Sequence, residues 1–185
     1  ILIVQNSHAA YYPGAAPLVL KLLFSMDGKR LFGAQIVGTD GVDKRIDVLA
    51  AAIRLGAGVS DLTKLELAYA PPYSSAKDPV NMAGYVAENL LTGKVAFSSW
   101  DALDKRDGAV VLDVRETMER QAFELPDSVH IPLGQLRERI GELDPARRYI
   151  ILCAVGVRAY NASRILSAHG FKNVLVYPGG THFYR

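Results

Sequence analysis

The sequence predicts two consecutive α/β units of different construction, an α+β layer over residues 1–95 and a parallel-sheet α/β domain over residues 96–185. Three observations carry this. The early apolar runs lie close together, and Asp27-Gly28 separates two of them, a strong hairpin signal. Later apolar runs alternate with helical patterns, the order that builds a parallel sheet with right-handed crossovers. Between the halves, Thr92-Gly93 closes a helix and Lys94-Val95-Ala96-Phe97 reads as a linker or edge strand, where domain boundaries fall.

In the first half, Ile1–Val4, Leu18–Ser25 and Leu31–Val37 are the expected strands. Because ILIVQ reads as a strand already under way, the chain is expected to be the carboxyl-terminal part of something longer. Strands 18–25 and 31–37 carry apolar residues on both faces, so a sheet covered on both sides is expected. Residues 41–58 read as a helix with Val42, Ile46, Leu49, Ala50, Ile53 and Ala57 on one stripe, and Gly56 or Gly58 as its stop. Ser60-Asp61-Leu62-Thr63 looks like the cap and first turn of a short helix. Pro79 suits the first turn of a helix over 80–91. Two tyrosine clusters stand in loops: Tyr11-Tyr12 before Pro13-Gly14, and Tyr69 and Tyr73 around Pro71-Pro72. The residues alone leave packing plates, interface anchors and acids open as their roles.

In the second half, Ser98 or Ser99 can cap a helix through Trp100–Asp104. Ala109–Val114 is a strand ending in the charged group Asp113-Val114-Arg115-Glu116, and Val129–Leu133 leads into a helix expected over 134–143, with Leu136, Ile140 and Leu143 on one face. A strand over 149–153, a helix over 158–169 and a strand over 174–177 complete the order. In such sheets, sites collect at the carboxyl ends of the strands, where Asp113 and Cys153 both fall. His130 adjoins an apolar strand and His169 precedes a helix-ending glycine, so both read as structural.

Cys153 is the only cysteine in 185 residues. That excludes an internal disulfide and fits a reducing cytoplasm. The net charge of +2 gives no sign of nucleic acid or an anionic membrane as partner. No apolar run reaches the roughly 18 residues that span a bilayer, and no secretory signal is visible. No metal-ligand pattern appears.

The thiol lies at a strand-to-helix turn, C-A-V-G-V-R. The unpaired backbone N–H groups of a helix start stabilise negative charge on sulfur and can cradle an anion. Ala154, Val155, Gly156, Val157 and Arg158 are the candidate anion-binding residues. Gly156 lets the loop turn, and Arg158 adds a permanent positive charge. Four residues separate Cys153 from Arg158, one fewer than in the C-x5-R loop of cysteine phosphatases and arsenate reductases. The shorter cradle suits a single sulfur atom or a thiosulfonate better than a phosphoryl group. A phosphatase-like activity and a non-catalytic dimerisation and binding module are the alternatives.

The strings SHAAYYPGA, GAQIVGTDGVDKRIDVLAAAIRLG and AYAPPYSSAKDPVNMAGYVAENLL resemble the carboxyl-terminal dimerisation domain of flavin-dependent pyridine nucleotide-disulfide oxidoreductases, in the branch of the coenzyme A-disulfide and NADH-dependent persulfide reductases. LDVRE, HIPLGQLRERIGEL, IILCAVGVRAYNAS and the late YPGG resemble a rhodanese, with FELPDSVHIPL standing where a Gly-His-Ile-Pro-Gly-Ala run is usual. The fold these imply is an α+β dimerisation domain of the disulfide-oxidoreductase type followed by a rhodanese-like parallel-sheet α/β domain.

The resemblance further implies a homodimer through residues 1–92, with Tyr11 and Tyr69 lent to the partner's flavin site and Tyr12 and Tyr73 as near neighbours in the same motifs. It implies Cys153 as carrier of a sulfane sulfur, loop amides 154–158 as its cradle, and Asp113 as a support for the loop. FAD, NAD(P)H and coenzyme A belong to the implied full-length enzyme, not to this stretch, which has no Gly-x-Gly-x-x-Gly turn and no second cysteine. Thiosulfate, polysulfide and CoA persulfide are the implied sulfur donors or acceptors.

Overall fold

A computed structural model describes residues 1–184 and divides the chain into two compact units, 1–93 and 94–185. The first is an antiparallel meander of β1 (Leu2–Asn6), β2 (Pro17–Phe24) and β3 (Leu31–Gly38), followed by helices α1 (Val42–Arg54), α2 (Val59–Lys64) and α3 (Pro79–Leu91). The β2–β3 turn is the expected one at Asp27-Gly28, where the Asp27 carboxylate accepts from Ser25 Oγ and Lys29 N. Alternation along β2 points Leu18, Leu20 and Leu22 to one face, where they pack with Leu49, Leu62, Val80, Ala83 and Ala87 of the helices.

The opposite face corrects the expectation of a sheet covered on both sides, because Leu23, Phe32 and Val37 are exposed there. Within this unit all three helices lie against one face, since the meander has no crossover to carry a helix to the other. Helix α1 ends at Arg54 rather than near residue 58. Beyond it the chain doubles back, with Ala57 N donating to Ala52 O and Ala57 O accepting from Leu31 N. Asp78 caps α3 by accepting from Val80 N, and the Asn81 side chain returns a bond to Asp78 N.

The second unit runs α4 (Ala102–Lys105), β4 (Val110–Asp113), α5 (Thr117–Ala122), β5 (Val129–His130), β6 (Tyr149–Leu152), α6 (Val157–Ala168), β7 (Val174–Val176) and α7 (Thr181–Tyr184). Its four strands are parallel in the order β5-β4-β6-β7. Both faces are covered. Leu112 and Ile151 pack under Ala159, Ala162 and Leu166 of α6 on one side, and Val111, Ile150 and Leu152 meet Leu103, Leu125 and Tyr177 on the other.

Two local expectations are corrected. The helix over 134–143 is instead two 3-10 turns, Leu133–Gln135 and Ile140–Glu142. Gly134 and Gly141 each cost a helix about 1 kcal/mol, and the short turns still bury Leu136 and Leu143. The helix after the linker begins at Ala102 with Asp101 at its N-cap, not at Ser98 or Ser99. Helices α5 and α7 had no counterpart in the sequence reading.

Candidate functional site

Cys153 leaves the sheet at the carboxyl end of β6, whose four residues are all buried, and is itself 1% exposed. Its Sγ accepts hydrogen bonds from Gly156 N at 3.0 Å and Ala159 N at 3.4 Å. Gly156 occupies the N-cap of α6 with φ of 108°, a conformation that side-chain-bearing residues rarely adopt. The amides of Ala154, Val155, Val157 and Arg158 have no acceptor among the described residues. The loop therefore wraps its donors around one sulfur and leaves further donors for a group bound to it.

The other side of the loop is held by the Pro178-Gly179-Gly180 turn and α7. Thr181 N donates to Cys153 O at 2.9 Å and His182 N to Ala154 O at 3.1 Å. A Cβ on Gly180 would collide with the carbonyls of Cys153 and Ala154, which accounts for glycine in YPGG.

Arg158 does not stand free beside the thiol. Its two terminal nitrogens donate to the Glu119 carboxylate at 2.5 and 2.6 Å, a fork-on-fork pair between residues 39 apart. This bond, working against partial burial, holds the Glu119 carboxyl down at about 2. The same bond comes first, and the Cys153 sulfur adds to it, in favouring the charged form of Arg158. Glu119 also accepts from Glu116 N at 3.0 Å, closing a capping box at the start of α5.

Asp113 is fully buried and makes its bonds with Arg115, to which it is paired at 2.6 Å. Arg115 in turn donates to Phe123 O at 2.7 Å and Glu119 O at 3.4 Å. The Asp113 side chain is thus linked to the cysteine loop through Arg115, α5 and the Glu119–Arg158 pair, while its backbone pairs with Leu152 in the sheet. His130 Nε2 lies 2.8 Å from Arg115 O, and His169 Nδ1 lies 2.9 Å from Ile165 O.

Sequence reading missed Arg115 and Glu119 as site residues. The Glu116-x-x-Glu119 spacing was the available signal. Helix α5 buries none of its residues, so it has no apolar stripe to reveal it.

In the first unit the hydroxyls of Tyr11 and Tyr69, 58 residues apart, meet at 2.9 Å. Both rings are exposed, at 76% and 48%. The bond to Tyr11 raises the ionisation of Tyr69 above that of an ordinary phenol, so Tyr69 stays protonated. Tyr12 lies edge-on to the buried His8 ring, and Tyr73 is exposed without a side-chain bond to Tyr11 or Tyr69.

Beneath the pair Arg45, 1% exposed, donates to Asp78, to Ser74 Oγ and to the carbonyls of Ser7, Gly41 and Tyr73. Burial raises the Asp78 carboxyl, but the bonds from Arg45, Ser74 and Val80 N outweigh it and hold that carboxyl below the usual range. A charged residue at i+3 from Val42 and i−4 from Leu49, on the buried stripe of α1, was the sequence signal for Arg45.

Among the described residues no group of three or more His, Cys, Asp or Glu could hold a metal, and no helix is long and apolar enough to cross a membrane.

An antiparallel α+β layer with a tyrosine pair on its loops is followed by a parallel sheet presenting one cysteine in an amide cradle, a two-domain α/β chain. Residues 2–79 match the pyridine nucleotide-disulphide oxidoreductase dimerisation domain and residues 99–184 match the rhodanese-like domain. The chain thus carries, in order, a pyridine nucleotide-disulphide oxidoreductase dimerisation domain and a rhodanese-like domain, and it is similar to coenzyme A disulfide reductases and a persulfide reductase.

Coenzyme A disulfide reductase of Staphylococcus epidermidis is 52% identical over 84 residues, covering 45% of this chain and 19% of that protein. Among solved structures, the reduced CoADR-RHD of Bacillus anthracis superposes with a TM-score of 0.95 at 45% identity, and an NAD-dependent persulfide reductase from A. fulgidus with 0.88 at 40%. Each covers the whole of this chain, which spans 33% of theirs.

Proposed function

We propose that the second unit is a rhodanese-type sulfurtransferase that carries sulfane sulfur as a Cys153 persulfide, working as part of a CoA-disulfide or persulfide reductase. The observation that carries this is the pair of backbone N–H groups, from Gly156 and Ala159, directed at Cys153 Sγ. They stabilise the attacking thiolate, and the unpaired amides of the same loop are placed to receive a second sulfur. Asp113 and Arg115 hold α5, through which Glu119 steadies Arg158 and the loop.

The donors and acceptors are small sulfane-sulfur compounds such as thiosulfate, polysulfide or CoA persulfide. In the full-length protein, a cytoplasmic homodimer joined through the first unit, FAD and NAD(P)H would supply the electrons that reduce a persulfide or disulfide. This chain's own contribution there is Tyr11 and Tyr69, two exposed hydroxyls joined by a hydrogen bond. Tyr69, held neutral, can donate a hydrogen bond or proton and is a poor base.

Intact mass of the chain after incubation with thiosulfate or polysulfide tests the reading. A gain of about 32 Da that cyanide or thiol reverses, and that Cys153→Ser abolishes, is expected for a persulfide. Hydrolysis of phenyl phosphate lost in Cys153→Ser, without any sulfur adduct, would favour the phosphatase alternative instead.

A further inference from the structure

Among the described residues, three arginines near the Cys153 loop are held in ion pairs. Arg158 is held two-pronged by Glu119, Arg115 is buried against Asp113, and Arg120 pairs with Glu124 at 2.6 Å. His130 Nε2 is engaged with Arg115 O, and the His182 ring packs edge-on against Phe183. Glu116 adds a further negative charge felt by Arg158. Ala154, Val155 and Val157 contribute apolar side chains, so ligand recognition falls to the backbone amides.

Amides suffice for a single charge on sulfur, but a dianion brought into such a loop needs a counter-charge to offset its lost hydration. We infer that Glu119 is a specificity-determining residue, which by masking Arg158 biases Cys153 against the thiosulfate dianion and toward persulfides, whose sulfur end enters with one negative charge or none. This rests on the sulfur-transfer reading and names its donor class.

With a persulfide R–S–SH, the Cys153 thiolate attacks the outer sulfur, the Sγ–S bond forms and the donor's own S–S bond breaks. Cys153–S–SH and the thiolate R–S⁻ result, with no net oxidation. With thiosulfate the same displacement gives Cys153–S–S⁻ and sulfite. The two differ in the charge that must be brought to the loop.

Glu119→Gln is the direct test. Glutamine serves the same capping box, so α5 keeps its start while the charge is lost. Rates of the about 32 Da adduct on the full chain, by quenched intact mass over a range of donor concentrations, are compared for thiosulfate and glutathione persulfide. Freeing Arg158 is expected to raise thiosulfate efficiency about tenfold, the scale of one charge-assisted hydrogen bond, through a lower half-saturating concentration. The persulfide rate should respond less, because the sulfur end of this donor brings at most one charge, which the amides already receive, so the thiosulfate-to-persulfide ratio rises. Wild-type thiosulfate transfer should vary little with added salt, while transfer by Glu119→Gln should fall as salt screens the freed guanidinium.

An unchanged thiosulfate-to-persulfide ratio in a folded Glu119→Gln overturns the inference and leaves sulfur transfer standing. No adduct with either donor in the wild type defeats the sulfur-transfer reading itself. Should Glu119→Gln fail to fold, the wild-type salt series decides: a steep loss with salt means that a free cation already serves the loop, and Glu119 does not mask it.

Discussion

Each unit buries an arginine–aspartate pair that holds its candidate site loops, but the two pairs tie together different lengths of chain. Arg45 and Asp78 are 33 residues apart, and the guanidinium also takes the carbonyls of Ser7, Gly41 and Tyr73. One side chain therefore fastens the loop that carries Tyr11 to the loop that carries Tyr69 and Tyr73. Asp113 and Arg115 are two residues apart, and the guanidinium goes on to Glu119 O and Phe123 O, organising the six-residue helix α5. The first pair assembles tertiary structure; the second shapes a segment already adjacent in sequence. A buried ion pair adds little net stability over an apolar filling, yet losing one partner strands a charge, so the cost of breaking it measures how much the rest of the fold leans on it.

Asp78→Ala is the most damaging way to test that contrast. It leaves Arg45 buried without its carboxylate and should cost about 3–5 kcal/mol in urea unfolding of the first unit, much of it restored by adding Arg45→Met. Acid gives the same answer without mutation. Because Asp78 titrates below its unfolded value of about 3.9, its stabilisation is fully present above that pH and is lost as the pH falls through its lower folded value. Unfolding of the first unit in acid, followed by tyrosine fluorescence, should begin below about pH 4 in the wild type, and the acid dependence should flatten in Asp78→Ala. A first-unit stability unchanged by Asp78→Ala would show that the loops are held by packing alone.

Asp113→Asn also strands a buried guanidinium charge, but asparagine keeps one acceptor for Arg115 and the segment held is local, so it should cost less than Asp78→Ala, about 2–3 kcal/mol. Its larger consequence is expected in sulfur transfer. A loosened α5 lets Glu119 move, so the thiosulfate-to-persulfide ratio should shift in the same direction as in Glu119→Gln. A stability loss with no change in that ratio would separate the Asp113 clamp from the cysteine loop.

The legible parts of the sequence were those with strong local signals. Asp27-Gly28, the apolar run before Cys153, the stripe of α1 and the Asp78-Pro79 start of α3 each follow from nearest-neighbour chemistry. What was hidden depends on groups far apart in sequence meeting in space. The charge of Arg158 is answered by a glutamate 39 positions earlier, on a helix with no buried residue. Gly180 makes room for a carbonyl of the cysteine loop, which no turn pattern reveals. Spacing of Leu136, Ile140 and Leu143 suggested a helix, but the same spacing is met by two tight turns. The uncovered sheet face could not be read either, since β2 and β3 show apolar residues on both sides whatever packs against them.

The smallest effect is expected where the first comparison meets the surface. Tyr11→Phe removes one exposed hydroxyl and leaves Arg45 and Asp78 untouched, so unfolding should be unaltered within error. Tyr69, however, loses the partner that chiefly raises its ionisation. Carbon-13 NMR of the tyrosine ring carbons across the alkaline range should show one tyrosine, assigned as Tyr69 by its absence in Tyr69→Phe, titrating at lower pH in Tyr11→Phe than in the wild type. The sign follows from the pair: the hydrogen bond with Tyr11 holds the Tyr69 ionisation up in the wild type, and the variant lacks that hydroxyl. An unmoved Tyr69 titration would mean that the hydroxyls do not meet in solution, and the loops that Arg45 fastens would then deliver two independent phenols rather than a pair.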